Sequence, residues 1–117
     1  YGHQTGDEVL RHAASIVRDN MRSFDIAARY GGEEFAFIFP RTDEADAQAV
    51  AERIRFDLES NPIQTPGGSI HVTASIGLAV ANEADQGNPL ELVARADAAL
   101  YKAKELGRNQ VVLASAL

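Results

Sequence analysis

Two adjacent carboxylates, Glu33 and Glu34, follow directly on Gly31 and Gly32 and lead into an apolar run over 35–39. Glycine leaves room for a ligand to lie against the backbone. Carboxylate oxygens suit a hard cation such as Mg²⁺, which takes one or two of them together with phosphate oxygens. Neighbours in a strand point to opposite faces, so the two acids are expected to divide the work. One would hold a cation, and the other would accept a hydrogen bond or act as a base. A solvated acidic turn fits the same residues, and Gly67-Gly68 is a second glycine pair with no acids after it.

Other charged residues recur at spacings that have both a plain and a functional reading. Lys104 and Arg108 are four apart near the end of a helical pattern, where cations complement the helix dipole and could equally meet phosphate. Asp7 falls in what reads as a first helical turn, where an acid is favoured in any case. Arg22 and Asp25 make an Arg-x-x-Asp, which on a surface is an ion pair worth under about 1 kcal/mol. The planar fork of arginine also suits phosphate and guanine edges. His3 stands alone.

The elements that must position these groups are read from periodicity. Thr5-Gly-Asp-Glu8 has capping-box spacing, and Val9, Leu10, Ala13, Val17 and Met21 follow at helical intervals, predicting a helix over about 6–22. Runs over 26–30 and 34–39 flank the Gly-Gly as a hairpin. Phe35, Phe37 and Phe39 alternate with Ala36 and Ile38, so both faces are apolar, as in a strand covered on two sides. Pro40 stops it.

A second helix is expected over 43–60, with Ala47, Val50, Ala51, Ile54 and Leu58 inward, Arg53 elsewhere, and Asn61-Pro62 ending it. Residues 64–69 read as a loop and 70–80 as one long alternating strand. Asn88-Pro89 caps a last helix that carries Leu90, Val93, Ala96, Leu100 and Tyr101 and ends at Gly107, before a short strand over 110–113. This order predicts an α+β fold, an α/β sandwich with helices packed on a sheet.

Composition narrows the class. The 117 residues suit one domain or a piece of one, and 45% apolar with 24% charged residues is ordinary for a globular protein. A net charge of −6 argues against a sequence-independent grip on DNA or RNA, which needs a basic face, though not against a single nucleotide. With no cysteine there is neither a disulfide framework nor a thiolate site, which fits the cytoplasm. No apolar run approaches the ~20 residues of a membrane span. Tyr1-Gly2-His3 reads as the end of a loop, so the chain is expected to begin at a boundary inside a longer sequence.

Gly31-Gly-Glu-Glu-Phe35 resembles the variant signature of the GGDEF family of diguanylate cyclases. Three further segments agree with that family in order and spacing: Tyr1-Gly-His3 through Gly6-Asp7; Thr73-Ala-Ser-Ile-Gly77; and the run from Arg95 to Lys104 with Gly107-Arg-Asn109. The resemblance covers essentially the whole chain, residues 1–117, as one partial GGDEF domain. It implies a nucleotide-cyclase or palm-like, antiparallel-rich sheet with helices packed on it. It further implies a nucleotidyltransferase of bacterial second-messenger signalling: two GTP molecules, one on each protomer of an antiparallel homodimer, are condensed to cyclic di-GMP and pyrophosphate with Mg²⁺ or Mn²⁺.

Carried over by the resemblance, Glu33 matches a metal ligand and proton acceptor with Glu34 beside it, and Gly31 and Gly32 let the triphosphate lie close. Asp7 matches the acid on the guanine edge, Lys104 and Arg108 match the phosphate-binding pair, and His3 would help shape the nucleotide pocket. Arg22 and Asp25 match the family's inhibitory product site, which Arg53 would complete. A strand and helix that precede Tyr1 in the family would supply an Asp for the metal, an Asn for guanine, a Lys for phosphate and a central strand. Residues 1–117 alone are therefore expected not to turn over GTP. The resemblance is compatible with a parent anchored in a membrane through an upstream module, and a non-catalytic cyclic di-GMP receptor is the alternative reading.

Overall fold

The structure is a computed structural model that describes residues 3–21, 26–29, 35–39, 42–82, 85 and 87–117, with the backbone alone described at 3–5, 26–29 and 35–38. Its first element is helix α1 (His3–Asp19), followed by strands β1 (Ile26–Arg29) and β2 (Phe35–Ile38) and helix α2 (Glu44–Ser60). Strands β3 (Ile63–Thr65), β4 (Gly68–Ile70) and β5 (Ile76–Leu78) come next, then helix α3 (Pro89–Glu105), strand β6 (Val111–Leu113) and a closing 3₁₀ turn. The fold mixes helix and strand as expected. Among the described residues the strands form three two-stranded sheets: β1 with β2, β3 with β4, and β5 with β6.

The helix ends follow local chemistry. Asp43 caps α2 by accepting the Asp46 backbone N–H at 2.8 Å, and Asn61 closes the helix with Nδ2 donating to the Asp57 carbonyl at 2.7 Å. Asn88 caps α3 by accepting the Leu90 N–H at 3.0 Å, with Pro89 at the first helical position, where its missing N–H costs nothing. The α1 start differs from expectation. The helix already runs at His3, so Thr5 is an interior residue rather than a cap, and the C-terminal end falls at Asp19 instead of 22. Asp7 consequently lies in the second turn, outside the first-turn position that would by itself have explained an acid.

The strand expected over 70–80 is two strands with different partners. β4 turns back on β3 across Pro66-Gly67, with Ile63 opposite Ile70 and Thr65 opposite Gly68. β5 instead pairs in parallel with β6, Ile76 opposite Val111 and Leu78 opposite Leu113. One extended segment cannot serve both ladders, so the chain leaves strand geometry over 71–75. Apolar alternation is the same in both pieces, and it carries no information about pairing partner.

The core lies where α1 and α2 meet β5. Val17, Ile54 and Leu58 are buried against one another, with Ala13, Ile16, Met21, Val50, Ala74 and Ile76 packed around them. Ala47 and Ala51 are buried as well, so the inward face expected of α2 is the one observed. On α3 full burial falls on small residues. Leu90 is 76% exposed, Tyr101 68% and Val93 41%, while the residues taken out of water are Ala99 and Ala103.

Gly77 accounts for that pattern. A Cβ at this position would collide with the Ala96 carbonyl oxygen and the Leu100 amide nitrogen, and would stand 2.8 Å from Leu100 Cα. Strand β5 therefore lies directly on the backbone of α3, and only small side chains fit beside that contact. Leu90, Val93 and Tyr101 stay exposed, whereas Leu100, whose backbone meets Gly77, is half-buried.

Gly77→Ala should force α3 off β5 and, as an overpacking substitution against unyielding backbone, cost roughly 1–3 kcal/mol. Urea unfolding of the two proteins checks this, and an unchanged midpoint would contradict it.

Candidate functional site

The residues predicted to act fall into three groups in the structure. Gly31, Gly32, Glu33 and Glu34 lie outside the described residues, as do Arg22 and Asp25. What is described around the first four is the ribbon that carries them: β1 and β2 are antiparallel, with Ile26 opposite Ile38 and Arg29 opposite Phe35. This is the hairpin expected from the two runs around the Gly-Gly, and residues 30–34 join its ends.

At the other end of the sequence, Lys104 is half-buried in the last turn of α3 and Arg108 is exposed just beyond it. The path between them is unusual. Gly107, Arg108 and Asn109 have φ of 117°, 66° and 48°, three consecutive residues in a region that side chains disfavour. Several bonds hold them there. The Arg108 N–H donates to the Ala103 carbonyl at 2.9 Å, and the Asn109 N–H donates to Ser75 Oγ at 3.1 Å. Asn109 Oδ1 accepts from Arg55 Nη1 at 3.0 Å, and its Nδ2 donates to Glu59. Arg55 is itself flanked by Glu52 at 3.0 Å and Glu59 at 3.4 Å. The segment bearing Arg108 is thus tied both to α2 and to the residue just before β5.

The start of α3 is fixed by a second charged contact. Arg95 donates through Nε to Asp85 Oδ1 at 2.8 Å and through Nη2 to Asp85 Oδ2 at 2.6 Å, and the same Nη2 reaches the Val80 carbonyl at 2.7 Å. Asp85 is buried, and its Oδ2 also accepts the Asn82 N–H at 3.0 Å. The Arg95 hydrogen bonds, helped by the Asn82 N–H and the Arg95 charge, outweigh burial and hold the Asp85 carboxyl below the usual carboxylate range. Arg95 is raised in turn by the same bonds. The two-point geometry orients α3 as well as attaching it.

Arg53, on the exposed side of α2, meets the end of α1: its Nε donates to Asn20 Oδ1 at 2.7 Å. Asp7 is exposed on α1, with open space around the neighbouring Gly6, and the backbone of His3 begins that helix. Lys104 and Arg108 therefore share one end of α3, whereas Arg53 sits at a different junction, between α1 and α2. Among the described residues no three His, Cys, Asp or Glu side chains gather closely enough to hold a metal ion, and no helix is long and apolar enough to cross a membrane.

Sequence reasoning missed Asp85, Asn20, Arg55 and Ser75 as partners of the residues it singled out. Asn20 and Ser75 did carry a faint signal, Asn at a helix end and Ser inside the segment 73–77. Asp85 carried none, because its partner lies ten residues away across a loop.

The profile of a family described as "Diguanylate cyclase, GGDEF domain" matches residues 1–110. Among curated proteins, "Diguanylate cyclase A" of Treponema denticola is 47% identical over 113 residues, which are 97% of this chain and 30% of that protein. The chain thus spans less than a third of that relative's length. Among solved structures, the GGDEF domain of DgcB from Caulobacter crescentus, in complex with c-di-GMP, superposes with a TM-score of 0.91 at 38% identity, over 98% of this chain and 68% of that one. The structure described as the active GGEEF domain of a diguanylate cyclase from Vibrio cholerae gives 0.88 at 31% identity, over 97% and 70%.

Because the depressed Asp85 carboxyl stabilises the fold only while ionised, its contribution is complete above the ordinary aspartate value and is lost as pH falls through the lower folded one. Asp85→Asn should lower Tm at neutral pH and flatten the loss of stability below about pH 4. Thermal melts at pH 7 and over the range 2–4 test both effects, and parallel acid limbs for the two proteins would exclude this role.

Proposed function

Since the chain belongs to the GGDEF family of diguanylate cyclases, we propose that residues 1–117 are the C-terminal portion of a GGDEF domain whose intact, dimeric parent condenses two GTP molecules into cyclic di-GMP. The observation that carries this reading is the intact Gly31-Gly-Glu-Glu-Phe35 inside a family match that runs from residue 1 to 110. In the reaction each 3′-hydroxyl oxygen forms a bond to the α-phosphorus of the other GTP. The α–β anhydride bond breaks, pyrophosphate leaves, and the hydroxyl proton passes to a base.

Each residue has a part in this scheme. Glu33 accepts the proton or holds it in a hydrogen bond, with Glu34 beside it, and Gly31 and Gly32 leave the triphosphate free access to the backbone. Lys104 and Arg108 bind phosphate oxygens as they carry negative charge. The bonds around Asn109 support that role by fixing the backbone from which the Arg108 side chain departs. Asp7, exposed and away from the helix end, is available to the guanine edge, and His3 borders the nucleotide.

Mg²⁺ or Mn²⁺ fits the donor set in kind, since Glu33 offers carboxylate oxygen. When bound, the cation supplies Lewis acidity at the phosphate oxygens. Product inhibition is assigned to Arg22, Asp25 and Arg53. The contact of Arg53 with Asn20, two residues before Arg22, supports this grouping.

In the intact protein, Glu33→Gln should reduce cyclic di-GMP formation about a hundredfold or more while leaving product binding intact. Chromatographic assay of product from GTP and Mg²⁺ measures the first, and calorimetry with cyclic di-GMP the second. Full turnover by the variant would refute the cyclase mechanism. An intact wild-type protein that binds cyclic di-GMP yet makes none would establish a receptor instead. Purified 1–117 should form no product, and any that accumulates would contradict the assignment of missing groups upstream.

A further inference from the structure

Asn20 lies just past the end of α1 with every polar atom of its side chain used. Its Nδ2 donates to the Ile16 carbonyl at 2.9 Å and to Asp57 Oδ2 at 3.0 Å, while its Oδ1 accepts from Arg53 Nε at 2.7 Å. These partners fix which way the amide faces. Reversed, it would set its NH₂ against the guanidinium and its oxygen against a carbonyl and a carboxylate. The amide is therefore pinned to α1 through Ile16 and to α2 through Asp57, and its oxygen can serve only Arg53.

A guanidinium held at Nε is constrained in the plane of its fork. Rotation about the last side-chain bonds, which an exposed arginine otherwise samples freely, would break the 2.7 Å bond. With Nε engaged, the edge formed by Nη1 and Nη2 is the one left for a second acceptor, and among the described residues neither nitrogen makes a hydrogen bond or ion pair. That edge matches two oxygens of a phosphate.

We infer that Asn20 is a positioning residue for the product-binding site, setting Arg53 to receive a phosphate of cyclic di-GMP. This inference rests on the assignment of Arg22, Asp25 and Arg53 to that site. Neutrality matters to the arrangement. An amide oxygen orients the guanidinium without neutralising it, whereas Asp57 in direct contact would compete with an anionic ligand. The amide keeps Asp57 one residue removed from Arg53.

The test is a double-mutant cycle in the intact protein, with cyclic di-GMP affinity read by calorimetry and GTP KM read alongside. Asn20→Ala should weaken cyclic di-GMP about tenfold, the scale of one hydrogen bond to a charged group, and leave KM unchanged. In an Arg53→Ala background the same substitution should produce no further loss. Asn20→Ser serves the same purpose if the alanine variant does not fold. Unaltered affinity, or an equal loss with Arg53 already removed, would overturn the positioning role. If Arg22→Ala and Arg53→Ala each leave affinity untouched, the site assignment itself is wrong and the role of Asn20 falls with it.

Discussion

The contact that the rest of the structure depends on is the approach of β5 to α3 at Gly77, where two backbones meet with no side chain between them. A strand lying this close to a helix excludes large residues from the interface. The buried face of α3 is accordingly Ala99 and Ala103. The parallel partner of β5 is β6, which follows α3 in the chain, so the same contact sets the distance over which α3 must cross from one strand to the next. On its other side β5 brings Ile76 to the core of Val17, Ile54 and Leu58. One glycine thus determines how near α3 sits to the sheet, and hence where its last turn delivers Lys104 and Arg108.

Much of this was legible in the sequence because it is local. Asp43, Asn61 and Asn88 act at helix ends where their residue types predict, and the inward face of α2 follows from a 3.6-residue period. The hairpin around the Gly-Gly was readable from two β-type runs. What was not legible depends on contacts between distant segments. Periodicity gave a helix carrying Leu90, Val93 and Tyr101, but not their exposure, because it measures which residues are apolar and not which neighbour is present. A 70–80 strand was expected because alternation persists through 71–75, where the chain changes partner from β3 to β6.

The candidate site divides in the same way. Residue identities at Asp7, Lys104 and Arg108 could be matched to a family pattern, but the means of holding them could not. Asn109 was noticed as part of a motif. Its bonds to Arg55, Glu59 and Ser75 join residues 34 to 54 positions apart, a separation at which no spacing rule operates. The pairing of Arg95 with Asp85 shows the same limit at a shorter range, since an irregular loop intervenes and helical or strand periods do not apply.

Arg53 and Arg55 are two residues apart on α2, which on a helix means about 200° around the axis and ~3 Å along it. One reaches outward to Asn20 at the end of α1 and the other, from the opposite side, to Asn109 beyond the end of α3. At that level α2 behaves as an axle with a spoke fixed on each side. It cannot roll about its own axis without pulling on both spokes at once, so the end of α1 at Asn20 and the turn at Asn109 are both anchored to a single helical turn.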